Sequence, residues 1–365
     1  MSSHPESARP GAFPAVAWPS RLGISGGPML AFRGLVVACQ AATIWVTWPL
    51  WEVHAVPPML PALPLPAVAL GVPLIASLLL ILIVPLPGIA IHTLLLTYAV
   101  LIDQTRLQPE VVSLVLLLWG TLPSTTAKAF GRAHLVSLWL FAGFHKLLSP
   151  GFMDGTARWI MTGFPIDLPP WMYANAGYLI ASAELGTGLL AIFPRTRKLA
   201  AVAAFGLHAG ILFVLSPFGH DWNESIWPWN VALAFAGFAL IAPWKESVWH
   251  SLGACHRVAK PLVVVLAIAP IGFYIGMTDA YLAHNLYSSN TANARVLCAA
   301  RCQPGQNPDA TWAAFKVPLP PEHRLYEQYF AATCRPGDEM LISDSRWWFH
   351  SQGQDERRLP CPAAR

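Results

Sequence analysis

Lys146 closes the apolar run Leu140-Phe141-Ala142-Gly143-Phe144-His145-Lys146-Leu147, with a second titratable group, His145, directly before it. A lysine partly desolvated in an apolar pocket can serve as a general base near neutrality. The plainer alternative is a lysine that snorkels its ammonium to a membrane surface. Glu184, in Ala183-Glu184-Leu185-Gly186, and His208, in Gly206-Leu207-His208-Ala209-Gly210, stand in two further apolar runs. The turn Pro194-Arg195-Thr196-Arg197 joins those runs as antiparallel neighbours. Glu184 is about 11 residues before the turn and His208 about 12 after it, so both stand at similar depth. A Glu184–His208 hydrogen bond is therefore expected, either as part of a site or simply as a bond between helices.

Two outer segments add polar groups. Asp103 and Arg106, three apart in Asp103-Gln104-Thr105-Arg106, either pair across a turn or leave Asp103 as a helix cap. The stretch 216–230 carries His220, Asp221, Asn223 and Asn230 beside Trp222, Trp227 and Trp229. It reads as an aromatic membrane belt or as a lid over an outward-facing pocket. His92 and His134 fall nearer the inner ends of their runs and are expected to be satisfied core histidines. No metal site is assigned.

The elements that position these groups follow from composition. Of 365 residues 55% are hydrophobic and 12% charged, against about 25% charged in soluble domains, which excludes an ordinary cytosolic enzyme. The net charge of +4 is too small and scattered for a nucleic-acid-binding face. Of the 42 charged residues, the last 81 positions hold 17. Three regions result: a disordered cytoplasmic leader (1–28), a membrane helix bundle (29–284) and a small tail domain (285–365).

A bilayer core needs roughly 20 apolar residues per helix. Nine spans are expected, at 32–50, 66–84, 88–103, 110–123, 131–148, 172–193, 198–217, 226–244 and 261–283, with Pro73 and Pro270 kinking theirs. The fold class is thus all-α, a polytopic transmembrane bundle with a small disulfide-bearing tail. With the N-terminus inside, the inner segments hold Arg9, Arg21, Arg33, Lys128, Arg132, Arg195, Arg197, Lys198, Lys245, Arg257 and Lys260, and the outer ones only Arg106, Lys146 and Arg158. Nine crossings then place the tail outside the cytoplasm, periplasmic or extracellular, on a cell inner membrane. Cys298, Cys302, Cys334 and Cys361 all lie in that tail, where an oxidising compartment lets them pair. The connectivity stays open, and a metal site or redox pair is the competing reading.

The motifs Asp103–Pro109 (DQTRLQP), Ala142–Leu147 (AGFHKL) with Gly155 beyond it, and AELG, RTR and LHAG within 183–210 occur in an order that resembles the horizontally transferred transmembrane (HTTM) domain family. That family includes the vitamin K-dependent gamma-glutamyl carboxylases, and the likeness covers about residues 96–229. It implies an active site on the outer side, with Lys146 as the base that deprotonates a reduced quinone of vitamin K type and His208 in the place of the family's FH histidine. Phe152 stands near the place of a family tryptophan, and the tail is shorter than a carboxylase lumenal region. The DQxRLQP and WPWN segments are also similar to bacterial membrane proteins grouped loosely as DoxX-like.

The expected function is a quinone-linked membrane enzyme. Lys146, His145, Glu184 and His208 would form its catalytic set, and Asp103, Arg106, Trp227, Trp229 and Asn230 would contact the lipid-soluble quinone. Two alternatives stand beside it: a non-catalytic module that holds an exported protein or peptide through its tail, and a DoxX-like thiol oxidase using Cys298 and Cys302.

Overall fold

The computed structural model describes residues 27–353 and 355–362. The expected leader, with Arg9 and Arg21, lies outside the described residues except for Gly27 and Pro28. Pro28 already opens the first helix, α1 (Pro28–Val46), where proline's fixed φ suits the first turn. There follow α2 (Gly71–Ile83), α3 (Pro85–Ile102), α4 (Pro109–Gly120), α5 (Thr125–Leu147), α6 (Ala176–Ile192) and α7 (Arg197–Leu215). The body ends with α8 (Trp227–Ala236), prolonged by a π turn to Ile241, and α9 (Ala259–Ile268), prolonged by 3-10 turns to Ile275.

Among the described residues, four stretches are long and apolar enough to cross a membrane: Pro28–Val46, Pro85–Ile102, Arg197–Leu215 and Glu224–Ile241. This is fewer than nine, for two physical reasons. Gly71–Ile83, Pro109–Gly120, Ala176–Ile192 and Ala259–Ile275 are apolar but shorter. Helix α5 has the length, but Lys128, Arg132 and Lys146 dilute its apolarity. The prolines also act differently from expectation. Residues 64–70 hold no helix, so Pro73 falls in the first turn of α2 and kinks nothing, whereas Pro270 stands where α9 tightens from α to 3-10 winding.

Helices α5 and α6 form the most extensive pair in the body. A Cβ on Gly143 of α5 would lie 2.4 Å from the backbone nitrogen of Leu185, and one on Gly188 of α6 would lie 2.7 Å from that of Leu140. Backbones can approach this closely only where side chains are absent, as at small-residue membrane helix contacts.

The tail corrects the all-α expectation. Strands β1 (Asn293–Leu297), β2 (Glu339–Ser343) and β3 (Glu356–Pro360) form an antiparallel sheet in that order, with Val296 opposite Met340 and Ile342 opposite Arg357. Val296, Met340 and Ile342 pack under α11 (His323–Thr333), against Leu325, Tyr326, Tyr329 and Phe330. The short helix α10 (Ala310–Phe315) precedes α11. Five-residue strands with alternating burial carry none of the long apolar runs by which membrane spans are read. The cysteines pair as Cys298–Cys302 and Cys334–Cys361.

The tail seats against one end of the helical body. Gln108 Nε2 donates to the Pro318 carbonyl at 3.0 Å, Glu322 Oε1 accepts from the Ala280 amide at 2.7 Å, and Arg346 stacks on both Phe273 and Phe349. Within the tail, two amides, those of Ala299 and Arg335, hold the Asp338 carboxylate below its ordinary range. Burial raises Asp344, but bonds from His323 and Arg346 and the Arg346 charge outweigh it and bring the group down. Burial shifts Glu322 the other way, upward.

Two outcomes follow. Gly143→Ala should destabilise the protein by about 1–3 kcal/mol through overpacking, whereas Gly155→Ala, where a Cβ meets open space, should not; thermal unfolding in detergent checks both. Because Asp338 and Asp344 titrate lower in the fold than in an unfolded chain, their stabilisation is complete above about pH 4 and is lost as pH falls through their folded values. Glu322 opposes this only by favouring its protonated form. Pepsin should therefore begin to cut within the tail below about pH 4, and Asp338→Asn should move the onset upward.

Candidate functional site

The close approach of α5 and α6 brings Lys146 Nζ to 2.7 Å from Glu184 Oε2, with side chains only 6% and 8% exposed. The Phe152 ring lies 5.7 Å from the ammonium and is itself fully buried, so it covers the pair on one side. Glu184 is thus the partner of Lys146 and not of His208, as the turn geometry had suggested. Equal depth on antiparallel helices left both options open, and the Gly143 contact decided for α5.

The pair stands on the wall of a chamber of about 90 Å³, whose lining is mainly apolar: Leu138, Trp139, Trp159, Ile180, Leu207, Ile211 and others. His208 and Asn230 are its remaining polar wall within the helices. Trp139 Nε1 donates to His208 Nε2 at 3.0 Å, and His208 Nδ1 lies 2.9 Å from Asn230 Oδ1. An indole N–H only donates, so His208 Nε2 is the acceptor and Nδ1 carries the proton given to Asn230. Asn230 is held in turn by its own bond to the Ile226 carbonyl. The imidazole is therefore locked as one neutral tautomer facing the chamber.

The other residues expected at the site are dispersed. His145 points away from the chamber and clamps the chain leaving α9, bonding the Tyr274 hydroxyl at 2.7 Å and the Ala283 carbonyl at 2.9 Å. Trp229 lines the chamber and donates to Ser113 Oγ, whereas Trp227 donates to the Trp222 carbonyl and is not on the wall. Asp103 and Arg106 are elsewhere. Asp103 both caps Thr105 and meets Arg106 at 3.7 Å, while Arg106 binds the Leu50 and Glu52 carbonyls. With Gln104 and Gln108 reaching the tail, the DQTRLQP segment joins loop and tail and does not stand on the chamber wall.

Residues that sequence did not single out complete the chamber. His284 and Tyr287 line it from the segment that leaves α9. His134 lies just behind, bonded to the same Ser113 that holds Trp229 and 5.3 Å from the His284 ring. The Asn223 amide donates to the Tyr287 hydroxyl and ties the 216–226 loop to the exit segment. Asp221, Asn223, His284, Tyr287 and Ser289 all have positive φ of 47–61°. Such backbone strain persists only where surroundings enforce it, and it is concentrated in the two segments that roof the chamber. No spacing rule reveals this roof, because it forms where two distant segments meet.

Removing one member of the buried pair should be worse than removing both. Glu184→Leu leaves a buried ammonium without its counter-charge and should cost about 3–5 kcal/mol, while Lys146→Met with Glu184→Leu should recover most of that loss. A double-mutant cycle on thermal unfolding measures the coupling. No protein-family model, curated protein or solved structure matches this chain.

Proposed function

We propose that this protein is a polytopic membrane enzyme that takes a proton from a phenolic, lipid-soluble molecule of the reduced quinone class, with Lys146 as the base. The observation that carries this reading is the buried Lys146–Glu184 pair on the wall of a mainly apolar chamber. The residues suit such a ligand: the Trp139, Trp159 and Trp229 indoles offer apolar faces for a ring, and few polar groups compete for its hydroxyls.

Lys146 Nζ accepts the phenolic proton once Glu184 has taken one of the ammonium protons. The carboxylate and amine thus exchange one proton without stranding an unpaired charge in apolar surroundings. His208, fixed as its Nδ1–H tautomer, orients Trp139 and stays out of the proton exchange. Deprotonation makes the ring oxidisable by dioxygen, with hydrogen peroxide as the second product.

The reading includes nine crossings, since α1 to α9 follow the nine expected spans in order. Arg132 lies fourteen residues before Lys146 on α5, about 21 Å along the axis, and meets Arg197 at the Trp244 ring. That basic end would face the cytoplasm. The chamber and the disulfide-bonded tail would face the periplasm of a bacterial inner membrane. Kinship with the HTTM and carboxylase family is part of the proposal, supported by the convergence of AGFHKL, AELG and LHAG on one chamber.

A second reading, a module that holds an exported partner without chemistry at Lys146, is favoured by the tail's separate hydrophobic core and two disulfides. A thiol oxidase would have to use Cys298–Cys302, which is not on the chamber wall.

Oxygen uptake by the detergent-solubilised protein with a short-chain reduced naphthoquinone tests the leading reading. Wild type should accelerate oxidation, and Lys146→Met should lower the catalysed rate about 10² to 10⁴-fold. The charge-free Lys146→Met/Glu184→Leu protein should show the same loss while keeping the fold. An unchanged rate in either variant would sink the proposal.

A further inference from the structure

A second cavity, about 330 Å³, lies between the helix ends and the tail. It shares Ile226, Leu286 and Tyr287 with the Lys146 chamber and is otherwise built differently. Glu110, in the first turn of α4, is 2% exposed and lines it, and its Oε1 has no hydrogen-bond partner. No lysine, arginine or histidine among the described residues stands on the wall to neutralise this carboxyl group. Buried carboxyl groups are ordinarily paired or hydrogen-bonded, so an unmatched oxygen on a residue that lines a cavity points to a partner that arrives from outside.

The remaining walls indicate what kind of partner. Trp222 and Trp312 stack with ring centroids 5.1 Å apart, and Tyr287 sits 5.4 Å from Trp222. Tyr281 and Tyr326 add two more rings. Burial pushes the Tyr287 and Tyr326 phenols well above their ordinary range, so both remain uncharged. Aromatic faces around a carboxyl group are the surroundings that attract an organic cation: the rings contribute their quadrupoles, and Glu110 its charge once the cation is there to pair with it. The wall supplies a single carboxyl group, and among the described residues no group of three or more His, Cys, Asp or Glu gathers to hold an inorganic metal ion.

We propose that this cavity is a binding site for an organic ammonium group, held by Glu110 and enclosed by Trp222, Trp312, Tyr281, Tyr287 and Tyr326. The source is a small free ammonium compound or the headgroup of a short lipid. The site is separate from the Lys146–Glu184 pair, so it stands or falls without any turnover at Lys146.

Calorimetry on the full-length protein in a maltoside detergent tests it with choline and with 3,3-dimethylbutan-1-ol, which has nearly the same shape and no charge. Choline should bind saturably and at least tenfold more tightly than the alcohol. Glu110→Gln should weaken choline at least tenfold while thermal unfolding stays unchanged, and Lys146→Met should leave choline binding as in wild type. If Glu110→Gln does not fold, Trp312→Leu, which removes one aromatic wall, should weaken choline and decides the matter. Dihexanoyl phosphatidylcholine serves as the lipid arm: tighter binding than choline assigns the site to a headgroup, and weaker binding assigns it to a free compound. Equal affinity for choline and the neutral alcohol, or unchanged choline binding in Glu110→Gln and Trp312→Leu, would overturn the proposal.

Discussion

Opposite charges removed from water must find each other, and in this protein that requirement is met in one seam. Lys146 and Glu184 lie on α5 and α6, and their 2.7 Å contact exists because Gly143 and Gly188 let the two backbones nearly touch. The seam has two effects at once. Packing without side chains gains dispersion contacts that lipid cannot replace, and the same closeness brings the carboxylate within reach of the ammonium. A methyl group on either glycine would press on the facing backbone and strain the contact that keeps the two charges paired.

How much of this was legible in the sequence depends on the length scale of the signal. Helices α1 to α9 were readable because each is an apolar run bounded by proline, glycine or charge, although lengths misled where prolines shorten the helix, as with α2 beginning only at Gly71. The tail sheet was not readable by the same measure, since β2 buries only Met340 and Ile342 of its five residues. Its disulfides followed from compartment reasoning, but their pairing needed the sheet. Cys361 comes next to Cys334 because β3 pairs with β2 and returns the chain's end to the start of β2.

The site shows the same division. Lys146, Glu184, His208 and Asn230 stood out as polar residues without a role in topology, and all four line one chamber. Their pairings did not stand out. His208 is satisfied by Trp139 and Asn230, from two other helices, and depth arithmetic along one hairpin contains no information about neighbours across the bundle. His145 is the reverse case: adjacent to Lys146 in sequence, it is rotated about 100° around the helix axis and ends against the α9 exit instead of in the chamber.

That rotation gives His145 a part in the architecture. By binding the Ala283 carbonyl through its ring and Asn290 through its own carbonyl, it pins the segment 283–290 across the C-terminal end of α5. This segment carries His284, Leu286 and Tyr287 into the chamber wall, and Tyr287 then takes the Asn223 amide from the opposite loop. The roof is therefore held from the same turn of helix that carries Lys146. Any displacement of the C-terminal end of α5 must move both Lys146 and its cover, and the positive-φ residues in the roof leave that cover few alternative conformations to relax into. Lys146 and the segment that covers it thus share one anchor, so the buried pairing with Glu184 and the cover over it are kept or lost together.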